Sequence, residues 1–189
     1  MIDIQKYISD SIETKNKILN DKFLISEIQR VADTIIDAYK KGNKVLTAGN
    51  GGSAADAQHM AGELVAKFLR DRKALKAMAL TTDTSIITAI SNDFGFENIF
   101  MRQIQANSDK GDVFIGISTS GNSKNIILAL EEARKKGVIT VGLVGEKECS
   151  MDKLCDIIIH VPSQKPPIIQ ESHLMIEHII CALVEENID

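Results

Sequence analysis

The chain has 189 residues, 44% hydrophobic and 25% charged, which suits one domain with a sizeable buried core. Its net charge of −4 excludes a global positive field that would gather nucleic acid or an anionic membrane, so an anionic ligand must be held by local donors. Cys149, Cys155 and Cys181 show neither paired metal-type spacing nor the even count of a disulfide framework, and the cytosol is the expected compartment. Residues 1–20 are charged throughout, unlike a signal peptide, and no apolar run nears the roughly 18–20 residues that cross a bilayer.

Residues 4–41 carry a helical pattern. Ile25, Ile28, Val31, Ile35, Ile36 and Tyr39 recur at helix spacing, and Gly42 follows as a stop signal. Two helices are expected here, an N-terminal extension over 1–42 ahead of the α/β portion of a single domain, 1–189. After Gly42, short apolar runs alternate with longer helical ones. Strands are predicted at 44–48, 77–80, 113–117, 140–144 and 157–161. Helices are predicted at 54–69, 85–91, 96–107, 124–136 and 168–186. Near-continuous β-branched runs separated by helices imply parallel strands buried on both faces. The expected fold is a three-layer α/β sandwich with a parallel sheet of about five strands, whose ligands bind at the carboxyl ends of the strands.

Gly49-Asn50-Gly51-Gly52-Ser53 lies where such a ligand would sit, between a strand and a helix. Glycines let the backbone turn tightly and approach a ligand, and the helix start offers unpaired N–H groups. The same segment also suits a plain strand-to-helix turn. Ser53 and Asp56 resemble a capping box, with Asp in place of the usual Glu or Gln. On the same helix, His59 and Glu63 are four residues apart and share a face. Such a pair binds a metal, transfers protons, or is simply an exposed polar pair; its place just after a ligand-type loop favours the first two.

Ser118-Thr119-Ser120-Gly121-Asn122-Ser123 repeats the arrangement after the third strand. Four hydroxyl residues in six, at a helix start, suit the oxygens of a phosphate. Neither GxxxxGK[ST] nor GxGxxG occurs, so nucleotide binding is disfavoured. Asn92-Asp93 lies between two helical stretches, and Asp93 either meets sugar hydroxyls or caps the helix expected from Phe96. The last helix carries Gln170, Glu171, His173, Glu177 and His178 among apolar residues. Gln170 and His178 fall on nearly one side, while His173 and Glu177 repeat the four-residue spacing, and spacing does not choose between the sets. Pro162, Pro166 and Pro167 predict an extended entry to that helix.

GNGGS at 49–53, HMAGEL at 59–64, TTDTS at 81–85, NDFGFE at 92–97, GISTSGNS at 116–123 and IQESH at 169–173 with His178 form an ordered set. Together they resemble the phosphoheptose isomerase family of the sugar isomerase (SIS) fold, over nearly the whole chain. The resemblance implies an aldose-ketose isomerase acting on sedoheptulose 7-phosphate through an enediol, at the first step of bacterial heptose biosynthesis for lipopolysaccharide, capsule or another glycan. It implies Glu63 as catalytic base and His178 as acid. It implies one zinc per subunit on His59, Glu63, Gln170 and His178, and no organic cofactor. Ser118, Thr119, Ser120 and Ser123 become phosphate donors, Asn50, Gly51, Gly52 and Ser53 shape the sugar site, and Asn92, Asp93, Glu63 and Gln170 complete the substrate contacts. His173 and Glu177 are then structural or interface residues. A cytoplasmic homotetramer with sites between subunits is implied, without nucleic-acid or membrane partners. Two positions depart from the family pattern: Lys67 stands where arginine is frequent, and Pro167-Ile168 replaces an acidic–basic pair. Alternatives on the same fold are a non-catalytic partner of the replication initiator, a phosphosugar sensor, or an enzyme of amino-sugar phosphates.

Overall fold

A computed structural model describes residues 3–188. Helices α1 (Ile4–Asn20) and α2 (Lys22–Lys40) share Asp21 as a hinge. Its carboxylate accepts from the N–H groups of Phe23 and Leu24, both at 3.0 Å, and so caps α2. The remaining order is β1 (Val45–Gly49), α3 (Gly52–Val65), β2 (Ala77–Ala79), α4 (Thr84–Phe94), α5 (Ile99–Asn107), β3 (Val113–Ile117), α6 (Lys124–Lys136), β4 (Ile139–Gly145), β5 (Ile157–Val161) and α7 (Pro166–Glu186). Short 3₁₀ turns lie at Phe96–Asn98 and Ser150–Lys153. All five strands are parallel, in the order β2-β1-β3-β4-β5.

The sheet is buried on both faces, as the unbroken apolar strands require. Val113, Ile115 and Ile117 of β3 join a core with α2, α3 and α7, while Phe114 points to the other core, with α5 and α6. Leu24, Ile28, Val31, Ile35 and Ile36 bring α2 into the first core, so this helix is a layer of the sandwich rather than an appendage. Among the described residues no helix is long and apolar enough to cross a membrane.

Several boundaries differ from the sequence expectation, each for a local reason. Helix α4 starts at Thr84, where Asp83 caps it by accepting from the Ile86 N–H at 2.9 Å, and it runs past 91 until Gly95 ends it, its N–H bonded to the Ser91 carbonyl oxygen. It therefore takes in Asn92 and Asp93. The helix expected over 96–107 opens instead as a 3₁₀ turn, after Gly95 with φ of 90° breaks the chain direction. Pro166 and Pro167 form the first turn of α7 rather than an extended entry, since their missing N–H groups are not needed there. The capping box expected of Ser53 and Asp56 does not form. Gly51 is the N-cap, and both side chains are buried inside α3.

Helix α3 stops at Val65, not at 69, and the cause is Arg72. Its guanidinium donates to the carbonyl oxygens of Glu63 at 2.8 Å and Leu64 at 2.9 Å, ending the helix. Arg72 Nε lies 3.1 Å from a carboxylate oxygen of Glu185, near the end of α7, and both side chains are buried. Glu185 also accepts from the N–H groups of Phe68 at 2.7 Å and of Leu69 and Arg70 at 2.6 Å. One buried ion pair thus ties the ends of α3 and α7 and shapes the loop between α3 and β2.

Burial alone would raise the Glu185 carboxyl, but the three N–H groups and the Arg72 charge hold it below its ordinary 4.5. A depressed folded value means that its stabilisation is present above about pH 4.5 and is lost as pH falls through the folded value. Glu185→Ala leaves the buried Arg72 charge without its counter-ion and three amides without an acceptor, and should lower the unfolding free energy by about 3–5 kcal/mol at neutral pH. Urea denaturation checks this, and the gap to wild type should narrow in acid. An unchanged midpoint would contradict the role assigned to the pair.

Candidate active site

The strand order places β1 beside β3, with the chain leaving them toward opposite edges of the sheet. In such sheets the crevice at this switch point is the ligand site. Both motif loops open onto it. Gly49 is required there because the first turn of α3 folds over it, so that a Cβ would collide with Ser53. Gly51 takes φ of 56°, a conformation that side chains resist. An amide pair joins the first loop to the start of α6: Asn50 Nδ2 donates to Asn125 Oδ1 at 2.9 Å, and Asn125 Nδ2 donates back to Asn50 Oδ1 at 2.8 Å.

In the second loop the hydroxyls converge. Ser118 Oγ lies 2.9 Å from Ser123 Oγ and 3.4 Å from Ser120 Oγ. Ser123 is the N-cap of α6, yet its side chain makes no capping bond. The free N–H groups of that helix and the hydroxyl cluster therefore face the same place, which is the chemistry an anionic phosphate needs. Thr119, Ser120 and Asn122 border a cleft of ≈ 290 Å³ that continues to Ser163 and Ile169. A larger hollow of ≈ 520 Å³ opens near Tyr39, Gly42 and Lys76, at the amino ends of the strands and away from these groups.

Helices α3 and α7 supply the titratable groups. His59 Nε2 lies 2.7 Å from His178 Nε2 and 3.4 Å from Glu63 Oε1. Ligand atoms of the three lie within 4.8 Å of one another. Two imidazole nitrogens and a carboxylate oxygen directed together fit a zinc-type cation. Phe68 stacks on the His178 ring with centroids 5.3 Å apart, and it is held there by the Glu185 bond to its N–H. Gln170, two turns before His178 on α7, has its carboxamide against Gly52, where a Cβ would collide with it.

The chain matches the SIS domain family over residues 6–145. It is 59% identical to the phosphoheptose isomerase of Aneurinibacillus thermoaerophilus over 185 residues, covering 98% of this chain and 93% of that one. The chain belongs to the phosphoheptose isomerase family. Identity to phosphoheptose isomerase 2 of Campylobacter jejuni is 57%, over 98% of this chain and 92% of that one. A solved phosphoheptose isomerase from Francisella tularensis superposes with a TM-score of 0.93 at 35% identity, covering 97% of this chain and 96% of that one.

Other positions singled out in the sequence sit on other elements of the chain. Asn92 and Asp93 are exposed in the last turn of α4, where Asn92 Nδ2 donates to Asp93 at 2.8 Å. Asp93 caps no helix, because Gly95 precedes the 3₁₀ turn. Lys67 is exposed beyond the end of α3. Ile168 is buried in the core, so its position in this chain offers a ligand nothing polar.

His173 and Glu177 are fully buried within the chain, which makes them structural rather than interface residues. His173 Nε2 lies 3.1 Å from the Val144 carbonyl oxygen, and burial pushes its pKa down to about 4. Glu177 has no hydrogen-bond partner on either oxygen, and burial, aided by Asp56, pushes it up to about 8. Burial likewise pushes Asp56 up to about 6, with His59 pulling the other way. Burial therefore favours the neutral form of the Glu177 carboxyl.

Proposed function

We propose that this member of the family interconverts D-sedoheptulose 7-phosphate and D-glycero-D-manno-heptose 7-phosphate by proton transfer. The observation that carries the reading is the meeting of His59, Glu63 and His178 beside two donor loops at the switch point. A binding module of the same fold has no need of a carboxylate and two imidazoles in mutual reach, so the non-catalytic alternatives are not favoured.

In this reading the hydroxyls of Ser118, Thr119, Ser120 and Ser123 and the start of α6 hold the phosphate, and the loop over 50–53 holds the sugar chain. Glu63 takes a proton from C1 of the open-chain ketose, leaving a 1,2-enediolate, and returns a proton to C2. His178 moves the hydroxyl proton between O1 and O2. The ketose carbonyl at C2 thereby becomes a hydroxyl and C1 becomes the aldehyde, with no net oxidation. Glu63 has two carboxylate oxygens, so one can face the imidazoles while the other accepts the proton.

His59, Glu63 and His178, with Gln170 as a fourth donor, would hold the zinc. When bound, it would stabilise negative charge that develops on the sugar oxygens. No thiolate belongs to the set, so affinity should be moderate. The cytoplasm follows from the substrate, a charged phosphosugar that does not cross a bilayer unaided.

Assembly belongs to the same proposal. Ile4, Leu19 and Phe23 are 73%, 70% and 71% exposed, and Ile8 and Ile12 continue an apolar stripe on α1. Second copies of the chain, in a closed homotetramer, would cover it. Light scattering at micromolar concentration should report four chains, and a monomer would contradict this.

Glu63→Gln keeps the shape and removes the base. Turnover should fall by at least about a hundredfold, while substrate still binds, because the phosphate donors are untouched. Near-normal turnover in a folded variant would remove Glu63 from its role. Zinc added to chelator-treated protein should bind with one ion per chain and raise the rate. His59→Ala should weaken both responses. Equal activity with and without zinc, and no stoichiometric binding, would contradict the metal role and leave proton transfer by Glu63 standing.

A further inference from the structure

The hydroxyl loop is gripped from behind by a segment that the catalytic reading leaves unused. After β4 the chain runs through 146–149 into the 3₁₀ turn Ser150–Lys153. Asn122 Oδ1 accepts from the backbone N–H of Ser150 at 3.0 Å and from its hydroxyl at 2.7 Å. Asn122 Nδ2 donates to the Ser120 carbonyl oxygen at 2.9 Å, and the Asn122 N–H to Ser120 Oγ at 3.2 Å. A carboxamide offers two acceptor sites and two N–H donors. Three of these are occupied by the protein, so Asn122 has little left to offer a ligand.

Neighbouring bonds run the same way. The Met151 N–H donates to the Gly121 carbonyl oxygen at 3.3 Å, and the Gly145 N–H to that of Thr119 at 3.2 Å. Cys149 Sγ packs on Gly121, whose φ of 62° and lack of a Cβ make room for the sulfur. The gripping turn is itself fixed. Asp152 accepts from the Cys149 N–H at 2.7 Å, and its other oxygen lies 2.8 Å from His160 Nε2 on β5. His160 Nδ1 lies 2.9 Å from the Gly145 carbonyl oxygen. Burial works against the charge on Asp152, yet the Cys149 N–H and His160 hold its carboxyl below the usual range.

We infer that Asn122, held by Ser150, is a positioning residue that keeps the phosphate-binding hydroxyls in their bound arrangement before substrate arrives. The inference rests on the reading of the hydroxyl loop as the phosphate site. Without the grip, the loop must be ordered at the moment of binding, and that entropy weakens ground state and transition state alike. The phosphate is remote from C1 and C2, so the loss falls on KM and not on kcat.

The test is steady-state kinetics with sedoheptulose 7-phosphate on Ser120→Ala, Asn122→Ala, Ser150→Ala, Ser150→Thr and the double variant Asn122→Ala/Ser150→Ala. Inhibition by inorganic phosphate is measured on each. Ser120→Ala should raise KM and weaken phosphate inhibition. Asn122→Ala should raise KM about tenfold and weaken phosphate inhibition by a like factor, with kcat within about twofold. Ser150→Ala keeps the backbone donor and should show a smaller effect in the same direction, and Ser150→Thr should restore wild-type values. The double variant should be no worse than Asn122→Ala, since the two changes break one interaction. If Ser120→Ala raises KM while Asn122→Ala and Ser150→Ala leave it unchanged, the positioning role is overturned and the phosphate site stands. If Ser120→Ala also leaves KM and phosphate inhibition unchanged, both fall. A loss of kcat at constant KM in Asn122→Ala overturns the positioning role as well.

Discussion

The site depends first on the buried pair of Arg72 and Glu185. Glu63 and His178 sit on different helices, α3 and α7, and their separation is set by how those helices meet. Arg72 binds the last carbonyl groups of α3, and Glu185 stands within the final turns of α7, so the pair fixes one helix against the other. Such a pair is weak evidence of net stability, because desolvating both charges offsets much of their attraction. Its value is geometric. It forces α3 to end at Val65, turns the following loop inward, and delivers Phe68 to the face of His178.

The sheet supplies the second constraint. In parallel sheets with helices on both sides ligands bind at the carboxyl ends of the strands, and the reversal of direction at β1 and β3 parts the following helices there. The two loops do different work. The first is built from glycines because backbone and side chains press on it, with Ser53 folded over Gly49 and Gln170 lying on Gly52. The second is rich in hydroxyls that converge, with Ser118 Oγ beside those of Ser120 and Ser123. The Asn50–Asn125 amide pair ties the first loop to the start of α6, directly after the second.

Much of this was legible in the sequence, for identifiable reasons. Unbroken β-branched runs announced strands buried on both faces, and glycine and hydroxyl clusters after strands marked the ligand loops. His59 and Glu63 were readable as a pair because helical spacing is local. Their partner was not: periodicity on α7 left His173 with Glu177 and Gln170 with His178 as rival sets, and the family resemblance made the choice. The structure supplies its physical reason, since His173 and Glu177 turn into the core while His178 faces His59. The Ser53–Asp56 spacing suggests a capping box, but Gly51 is the N-cap and both side chains are buried within α3. Arg72, Glu185 and the grip of Ser150 on Asn122 left no local signature, because each bond joins segments far apart in the chain.

The central claim is that Glu63 and His178 isomerise a seven-carbon phosphosugar by proton transfer through an enediolate. It is tested most directly by following sedoheptulose 7-phosphate with the purified protein in D₂O by NMR. The account predicts the anomeric signals of the aldose phosphate and, as the mixture is held at equilibrium, deuterium from solvent appearing at its C2. Absence of the aldose, or an aldose that keeps only protium at C2 after many turnovers, would contradict it.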